Sequence, residues 1–246
     1  MAVRRYTGQL LSALSHLRAH GIVHADIKPD NILVNSDFSS VKLCDFGSAF
    51  FVTDVDAKDP TPYLVSRFYR PPEVILGLEY SHPVDLWSIA VTLAEMFRGT
   101  VLFAGNTNND MLRRFMECVG PFSNKMLKRH FTSFEKLGMS PHFERDTYAF
   151  RREDIDVVTG KPVLRIVTIT AAPPEKGIPQ LFLKSKSQSD DRGEVLRFAD
   201  FLVRCLALDP TRRISIADAQ RHNFLIRASS NHRKKGKAAS TGEDEK

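Results

Sequence analysis

The fold is decided by His24-Ala25-Asp26-Ile27-Lys28-Pro29-Asp30-Asn31, a stretch that is followed fourteen residues after its end by Asp45-Phe46-Gly47. These residue types, in this order, match the needs of phosphoryl transfer, which depends on charge neutralisation, metal placement and an oriented nucleophile. Asp26 is suited to accept or orient a hydroxyl proton. Lys28 lies two residues further along an extended loop, from where it can steady a transferred phosphate.

Two further residues of these motifs carry oxygens that suit a magnesium ion. Asn31 and Asp45 offer hard oxygen ligands, which Mg²⁺ prefers. The runs Ile32-Leu33-Val34 and Val41-Lys42-Leu43 predict short strands, and the polar stretch between them predicts a hairpin. Because Asn31 precedes one strand and Asp45 follows the other, the hairpin is expected to bring both ligands to the same edge.

Periodic apolar residues predict helices on both sides of these motifs. One helix is expected over residues 2–20, ending at Gly21, and a largely buried one over residues 83–97. The chain is therefore expected to be mainly α-helical with short β-hairpins. The remaining helical signals are residues 107–119, residues 194–206 and the capping sequence Ser215-Ile216-Ala217-Asp218 of a last short helix.

Two regions depart from this regular pattern. Residues 45–73 contain four prolines and are interpreted as a long functional loop. Residues 121–192 hold an alternating run at 163–169, preceded by the turn sequence Thr159-Gly160-Lys161-Pro162. A Pro-rich stretch and a Lys/Ser-rich stretch follow. We interpret this second region as an insert that carries a β-hairpin and a flexible connector.

Beyond the opening motifs, the chain resembles the eukaryotic protein kinases at three further places. The opening motifs themselves, residues 24–31 and Asp45-Phe46-Gly47, are similar to the catalytic motifs of these kinases. Pro71-Pro72-Glu73 is similar to the end of their activation segment, and Asp85-Leu86-Trp87-Ser88 to the start of the helix that anchors the catalytic loop. Leu208-Asp209-Pro210-Thr211-Arg212-Arg213 is similar to the site whose arginine pairs with Glu73. A single Asp or Asn is more often a turn former than a catalyst, so the interpretation depends on the joint order and spacing.

The resemblance implies a role for each motif residue. Asp26 and Lys28 would be catalytic. Asn31 and Asp45 would hold Mg²⁺, and together with Lys28 they would contact ATP. The fold would be the large (C-terminal) lobe of a protein kinase, and the reaction would transfer the γ-phosphate of ATP to protein Ser/Thr hydroxyls. Structural roles would fall to His24, Phe46, Gly47, Glu73, Asp85 and Arg213.

The segment Tyr63-Leu64-Val65-Ser66-Arg67-Phe68-Tyr69-Arg70-Pro71-Pro72-Glu73 narrows the resemblance to the CMGC group. It is most similar to the branch of the dual-specificity tyrosine-regulated kinases, where the position of Tyr63 is phosphorylated. The catalytic motifs resemble the family of pre-mRNA processing factor four kinases, which are nuclear and associated with the spliceosome. This resemblance covers residues 3–228 and implies protein substrates, spliceosomal partners and a nuclear location. Ala25 replaces the arginine of most kinases, as it does in that family.

The sequence lacks the motifs that open a kinase domain. Only 23 residues precede His24, and they contain no Gly-x-Gly and no strand-like Val-Ala-x-Lys. We therefore expect the small lobe to be absent from this chain, and the chain alone to be inactive. The expected parts are residues 1–120 and 193–228 for the large lobe, 121–192 for the insert and 229–246 for a disordered polar tail.

The composition limits the class of protein. A chain of 246 residues with 42% hydrophobic and 26% charged residues is ordinary for a soluble globular protein. Its three cysteines are scattered, which argues against a disulfide framework and for a reducing compartment. No apolar run approaches the ~18 residues of a membrane span. The start also lacks an apolar signal core, so neither a membrane location nor secretion is expected.

The formal charge of +6 comes partly from the basic run Arg233-Lys234-Lys235-Gly236-Lys237. This run fits either a solvated, disordered tail or a patch for nuclear import or an acidic partner. No aromatic residue interleaves with it, so direct nucleic-acid binding is not expected.

Two alternatives to an active kinase stay open. The first is a catalytically inactive, truncated large lobe that acts as a binding or scaffold module. It differs from the kinase interpretation in whether a small lobe precedes Met1 in the complete gene product. The second is a small-molecule phosphotransferase, which also uses His-x-Asp but would not explain Pro71-Pro72-Glu73 or Arg213.

Overall fold

The structure is a computed structural model that describes residues 2–53 and 62–226, so the predicted tail at 229–246 lies outside the described residues. Helices dominate, which confirms the expected mainly helical fold. In the described residues, no helix is long and apolar enough to cross a bilayer. The helices are α1 (Ala2–Ala19), α2 (Pro72–Ile75), α3 (Pro83–Arg98), α4 (Asn108–Cys118), α5 (Asn124–Lys136), α6 (Ile178–Ser185), α7 (Arg192–Cys205), α8 (Ile216–Gln220) and α9 (Asn223–Ile226). The strands are β1 (Ile22–Val23), β2 (Ile32–Val34), β3 (Val41–Leu43), β4 (Phe50–Phe51), β5 (Phe150–Ile155) and β6 (Pro162–Val167).

Helix α1 is amphipathic and buries one face, as its apolar spacing predicts. The helix ends just before Gly21, whose φ of 68° lies in the left-handed region that glycine adopts at low cost. This turn sends the chain directly into β1, which precedes the catalytic stretch. The buried residues of α1 are Val3, Tyr6, Thr7, Leu10, Leu11, Leu14 and Leu17.

Helix α3 lies at the centre of the core. Every residue from 84 to 94 is buried, which explains why the sequence shows almost no polar face there. The ring of Trp87 stacks on Phe103 with 5.8 Å between centroids and meets Phe115 edge-on at 5.0 Å. Truncating a buried aromatic residue of this kind typically costs about 3–5 kcal/mol. The helix is therefore a rigid support for the loops that cross its N-terminal end.

Two small sheets position residues 24–31, the stretch that the sequence analysis compares with a kinase catalytic loop. Strands β2 and β3 form the predicted antiparallel hairpin, with Ile32 opposite Leu43 and Val34 opposite Val41. Strand β4 pairs with β1, a contact that no sequence pattern indicates, because strands of two residues are too short to show periodicity. The first hairpin brings Asn31 next to the chain that leads into Asp45, as the sequence predicts.

The insert contains more helix than the sequence suggests. The predicted hairpin forms between β5 and β6. However, α5 lies before it, and α6 occupies part of the stretch whose composition predicts a flexible connector. Helix α6 is held in place because Phe182 is fully buried and stacks on Phe97 with 5.2 Å between ring centroids. Ile178 is buried as well, and Leu181 and Leu183 pack against the core, so the apolar residues of this segment form a helical face that the sequence analysis overlooked.

Candidate active site

The catalytic stretch is anchored by a carboxylate in the first turn of α3. Asp85 accepts hydrogen bonds from the backbone N–H of His24 (2.8 Å) and of Ala25 (2.9 Å), one on each oxygen. Burial raises the pKa of Asp85, while the two N–H donors lower it. Ala25 has a φ of 62°, which is unusual for a residue with a Cβ. The two hydrogen bonds hold the loop in this conformation and thereby fix the direction of Asp26.

The side chain of His24 connects the same stretch to the end of β3. Its Nε2 donates to the carbonyl oxygen of Cys44 at 3.0 Å, and its ring lies 4.8 Å from the ring of Phe46. Its Nδ1 faces the N–H of Asp26 at 3.4 Å, so one neutral tautomer satisfies both contacts. The buried imidazole thus ties together two loops that the sequence predicts to share the site.

Asp26 is the centre of the hydrogen-bond network. One of its oxygens accepts from the N–H (3.1 Å) and the hydroxyl (2.7 Å) of Ser66. The other accepts from the ammonium of Lys28 at 2.8 Å and from the amide of Asn31 at 3.2 Å. Burial alone would raise the pKa of Asp26, but the bonds from Lys28 and Ser66 outweigh it and the pKa is lowered. The group is therefore an ionised carboxylate at neutral pH with a fixed orientation.

Lys28 is held beside this carboxylate rather than free in solution. Its hydrogen bond to Asp26 raises the pKa of the lysine, burial acts against this, and the nearby charges of Asp26, Asp30 and Asp45 raise it further. Its ammonium also donates to the hydroxyl of Ser66 at 3.0 Å. The site therefore presents one fixed positive charge next to the carboxylate, which is the arrangement that a transferred phosphate requires.

Ser66 is the residue that the sequence analysis missed. It lies forty positions after Asp26 and belongs to the segment before α2, yet its hydroxyl and N–H both bind the carboxylate. Ser66 follows Val65, whose φ of 68° is strained for a β-branched residue, but this strain is visible only in the structure. A lone serine in a loop carries no such information in sequence, because the contact depends on tertiary packing.

Asn31 and Asp45 meet at the edge of the β2–β3 hairpin. The backbone N–H of Cys44 donates to the carbonyl oxygen of Asn31 at 3.0 Å, which brings the two segments side by side. The amide of Asn31 donates to the carbonyl of Asp26 at 2.8 Å. No described residue hydrogen-bonds to its Oδ1. Asp45 is exposed, has a φ of 61° and accepts from the N–H of Gly47 at 3.2 Å.

This donor set fits Mg²⁺ rather than a metal enclosed by protein. Mg²⁺ binds through one or two side-chain oxygens and takes its other ligands from substrate phosphates and water. Asn31 and Asp45 carry oxygens of this kind and would be the residues to hold such an ion. Within residues 2–53 and 62–226, no group of three or more His, Cys, Asp or Glu side chains could enclose an ion.

Glu73 and Arg213 form a buried ion pair. Their two hydrogen bonds measure 2.7 and 2.9 Å, and each side chain is only 1% exposed. Arg213 also donates to the carbonyl of Pro83 at 2.8 Å and lies over the ring of Trp87. The pair joins the end of the activation-segment-like stretch to the start of α3 and to the loop before α8, as the resemblance implies.

Arg70 organises the segment that contains Tyr63 and Ser66. Its guanidinium is buried and donates to the carbonyls of Tyr63, Leu64 and Val65 and to the side chain of Asn108. Burial lowers the pKa of Arg70 to about 10, and the neighbouring charge of Arg67 contributes. The ring of Tyr63 is 68% exposed and lies 5.8 Å from this guanidinium. Arg67 is exposed, whereas the guanidinium of Arg70 already donates hydrogen bonds to backbone carbonyls.

Comparison with known proteins identifies the family. The family described as the protein kinase domain matches residues 1–225. This chain belongs to the protein kinase family. It is 44% identical over 226 residues to "Serine/threonine-protein kinase prpf4B" of Dictyostelium discoideum, covering 91% of this chain and 26% of that protein.

Two further relatives agree with the resemblance seen in the motifs. The kinase-family chain is 42% identical over 228 residues to "Serine/threonine-protein kinase prp4" of Schizosaccharomyces pombe, covering 92% of the chain and 45% of that protein. It is 35% identical over 234 residues to "Dual specificity tyrosine-phosphorylation-regulated kinase mbk-2" of Caenorhabditis elegans, covering 92% of the chain and 26% of that protein. The predicted resemblance to these two groups of kinases is confirmed. The chain spans less than half the length of each of these relatives.

Proposed function

We propose that this chain supplies the catalytic large lobe of a protein serine/threonine kinase. The observation that carries the proposal is the carboxylate of Asp26, ionised and held by Ser66, Lys28 and Asn31. A phosphotransferase for small molecules would need the same carboxylate. It would not explain the buried pair of Glu73 and Arg213, which matches the pair that the resemblance to protein kinases implies.

We propose a step for each residue of the site. Asp26 orients the hydroxyl of a substrate Ser or Thr and accepts its proton as the oxygen attacks the phosphorus. Lys28 lies next to the same carboxylate and stabilises the negative charge that develops on the transferred group. ATP with Mg²⁺ supplies the phosphoryl group when bound, and Asn31 and Asp45 would hold the metal.

The proposal extends to the organisation of the complete protein. We propose that residues 1–120 and 193–228 build the large lobe around an insert at 121–192, and that a small lobe completes the nucleotide site. Apolar side chains that are exposed on and near the β2–β3 hairpin support a missing contact with a small lobe. Their exposed fractions are 58% for Leu33, 45% for Val34, 48% for Phe46 and 53% for Phe51. If that small lobe supplied ~4 kcal/mol of the free energy of ATP binding, the chain alone would bind ATP about a thousandfold more weakly than the complete kinase.

Carboxylate variants of the full-length protein test the proposal. Asp26→Ala and Asp45→Ala should each abolish most transfer of labelled phosphate from ATP to a protein substrate. Asp146→Ala removes an exposed carboxylate of the insert and should keep wild-type turnover. Near wild-type activity in either site variant would contradict the proposal. A full-length protein that is inactive, but binds other proteins through this lobe, would favour the scaffold alternative.

We further propose that Tyr63 is a phosphorylation site that orders this loop. A phosphate there would carry nearly two negative charges close to Arg67, which is exposed, and to Arg70. Phosphosite mapping of the full-length protein tests occupancy. Unchanged activity and unchanged protease sensitivity of the loop in Tyr63→Phe would leave Tyr63 as a packing residue.

By resemblance to the pre-mRNA processing factor four kinases, we propose a nuclear protein that phosphorylates spliceosomal proteins. Phosphoproteomics after rapid inhibition of the full-length protein tests this. Loss of phosphate from proteins of the splicing machinery is expected. Loss confined to unrelated proteins would contradict it.

A further inference from the structure

The two edges of the β5–β6 hairpin are treated differently. The outer edge of β5 is closed by Asn109 of α4, whose amide donates to the carbonyl of Arg151 at 2.8 Å and whose oxygen accepts from the N–H of Glu153 at 3.0 Å. This side chain imitates a neighbouring strand. The outer edge of β6 has no such cover, because no described residue pairs with it beyond β5. An open edge is a template for another strand.

The exposed face of the same hairpin carries large apolar side chains. Leu164 and Ile166 of β6 are 48% and 54% exposed, and Ile155 of β5 is 63% exposed. Alternation places these three residues on one face of the sheet. The turn continues the patch with Val157 and Val158, which are almost fully exposed. A strand normally turns such residues inward, so this reversed pattern marks an interaction surface.

The opposite face carries Arg152, Asp154 and Arg165, whereas Arg151 and Glu153 lie on the same face as the apolar side chains. Asp154 already binds Arg152 at 2.9 Å and is 3.5 Å from Arg165, so two guanidinium groups share one carboxylate. Lys161 precedes the strand, and β6 itself carries no acid. The edge therefore has excess positive charge. Two copies of β6 in antiparallel pairing would bring Arg165 near its own copy, which is unfavourable.

We propose that the open edge of β6 is a docking site for an acidic, extended segment of a partner protein, which adds a third strand. Its alternate apolar side chains would cover Leu164 and Ile166, and a carboxylate between them would bind Arg165. Main-chain hydrogen bonds would supply affinity, and the side-chain pattern would supply specificity. The site does not depend on phosphoryl transfer, so it stands or falls separately from the proposed function.

A synthetic peptide tests this proposal with the full chain. The probe is a fluorescein-labelled nonapeptide that alternates valine and glutamate, and its binding is followed by fluorescence anisotropy. We expect a dissociation constant of ~100 μM, as a short flexible peptide loses freedom on binding. The same peptide with lysine in place of glutamate should bind at least tenfold more weakly. Equal binding of the two peptides, or no binding of the acidic one at millimolar protein, would overturn the proposal.

Peptide backbone methylation distinguishes strand addition from charge attraction. Alternate N–H groups of a strand point to the same side. N-methylation of one alternate set should therefore abolish binding, while methylation of the other set should leave it within about threefold. If both methylated peptides bind as tightly as the parent, no strand is added and the proposal fails.

A matched pair of variants locates the site. Arg165→Glu should weaken the acidic peptide at least tenfold and favour the lysine peptide. Arg192→Glu reverses the charge of another exposed arginine, at the start of α7, and should change neither affinity. Circular dichroism verifies that both variants fold. Unchanged affinity in Arg165→Glu would overturn the assignment, as would a concentration-dependent dimer, in analytical ultracentrifugation, that Ile166→Pro dissolves.

Discussion

The region around α3 and the insert differ in how they bury ionisable groups: one holds a charged pair, the other holds neutral histidines. Next to α3, Glu73 and Arg213 are buried as a charged pair. In the insert the buried histidines are neutral: His130 donates from Nδ1 to the carbonyl of Leu76 at 3.0 Å and accepts on Nε2 from the N–H of His142. Asn109 in turn donates to Nδ1 of His142 at 3.2 Å.

The surroundings explain this difference. A charge can be buried only when a partner and several hydrogen bonds compensate for the lost hydration, and Arg213 has both. His130 and His142 have aromatic neighbours and no carboxylate partner among the described residues. Burial lowers the pKa of His130 to about 4 and that of His142 to about 3. We therefore expect acid to loosen the insert.

The largest expected effect comes from breaking the ion pair. Glu73→Ala leaves the guanidinium of Arg213 buried without a carboxylate, which should lower the free energy of unfolding by about 3–5 kcal/mol. Denaturant titration at pH 7 measures it. Glu79→Ala is the control, because Glu79 is exposed and lies 3.6 Å from Arg129, and it should change stability by less than about 0.5 kcal/mol. Equal stability of the two variants would contradict the account.

The second prediction concerns pH. Both histidines have folded-state pKa values below the ordinary value of 6.5, so the unfolded chain binds protons first as pH falls. Their contribution to stability is complete above about pH 6.5 and decreases continuously towards pH 4 and pH 3. At 1.36 kcal/mol per pH unit for each histidine, going from pH 7 to pH 5.5 should cost about 2–3 kcal/mol.

Denaturant midpoints at both pH values give this slope. His142→Leu should remove about half of it, whereas His16→Gln, an exposed histidine of α1, should leave it unchanged. A slope that survives in His142→Leu would mean that other groups cause the pH dependence.

The third prediction concerns Asn109, which joins the two regions. Asn109→Ala leaves a carbonyl and an N–H of β5 without partners, which should cost about 1–3 kcal/mol. Hydrogen exchange should become faster at Glu153 in particular. Asn106→Ala, three residues earlier and exposed, serves as the control. Unchanged exchange at Glu153 would show that α4 does not hold the hairpin.

The smallest expected effect is at Ser66. Ser66→Ala removes the hydroxyl that helps to lower the pKa of Asp26, so this pKa should rise. The acidic limb of the pH profile of kcat/KM in the full-length protein should then move to higher pH, with the loss of activity confined to the acidic side of the profile. Ser36→Ala, in the exposed turn after β2, should leave the profile unchanged. An unshifted limb in Ser66→Ala would separate Ser66 from the chemistry.

Local patterns in the sequence determined much of this protein. The apolar spacing of α1 and α3, their terminal glycines and the β2–β3 hairpin were predictable because they depend on neighbours along the chain. The order and spacing of Asp26, Lys28, Asn31 and Asp45 were enough to indicate a phosphoryl-transfer site. The pairing of Glu73 with Arg213 followed from the resemblance.

Only the tertiary structure decided the contacts between segments that are distant in sequence. It placed Ser66 on Asp26, directed the guanidinium of Arg70 to backbone carbonyls and packed Phe182 of α6 against Phe97 of α3. It also closed one edge of the β5–β6 hairpin with Asn109, whereas no described residue pairs with the other edge. The physical reason is that local sequence sets backbone preference, whereas burial and the pairing of polar groups depend on which surfaces meet.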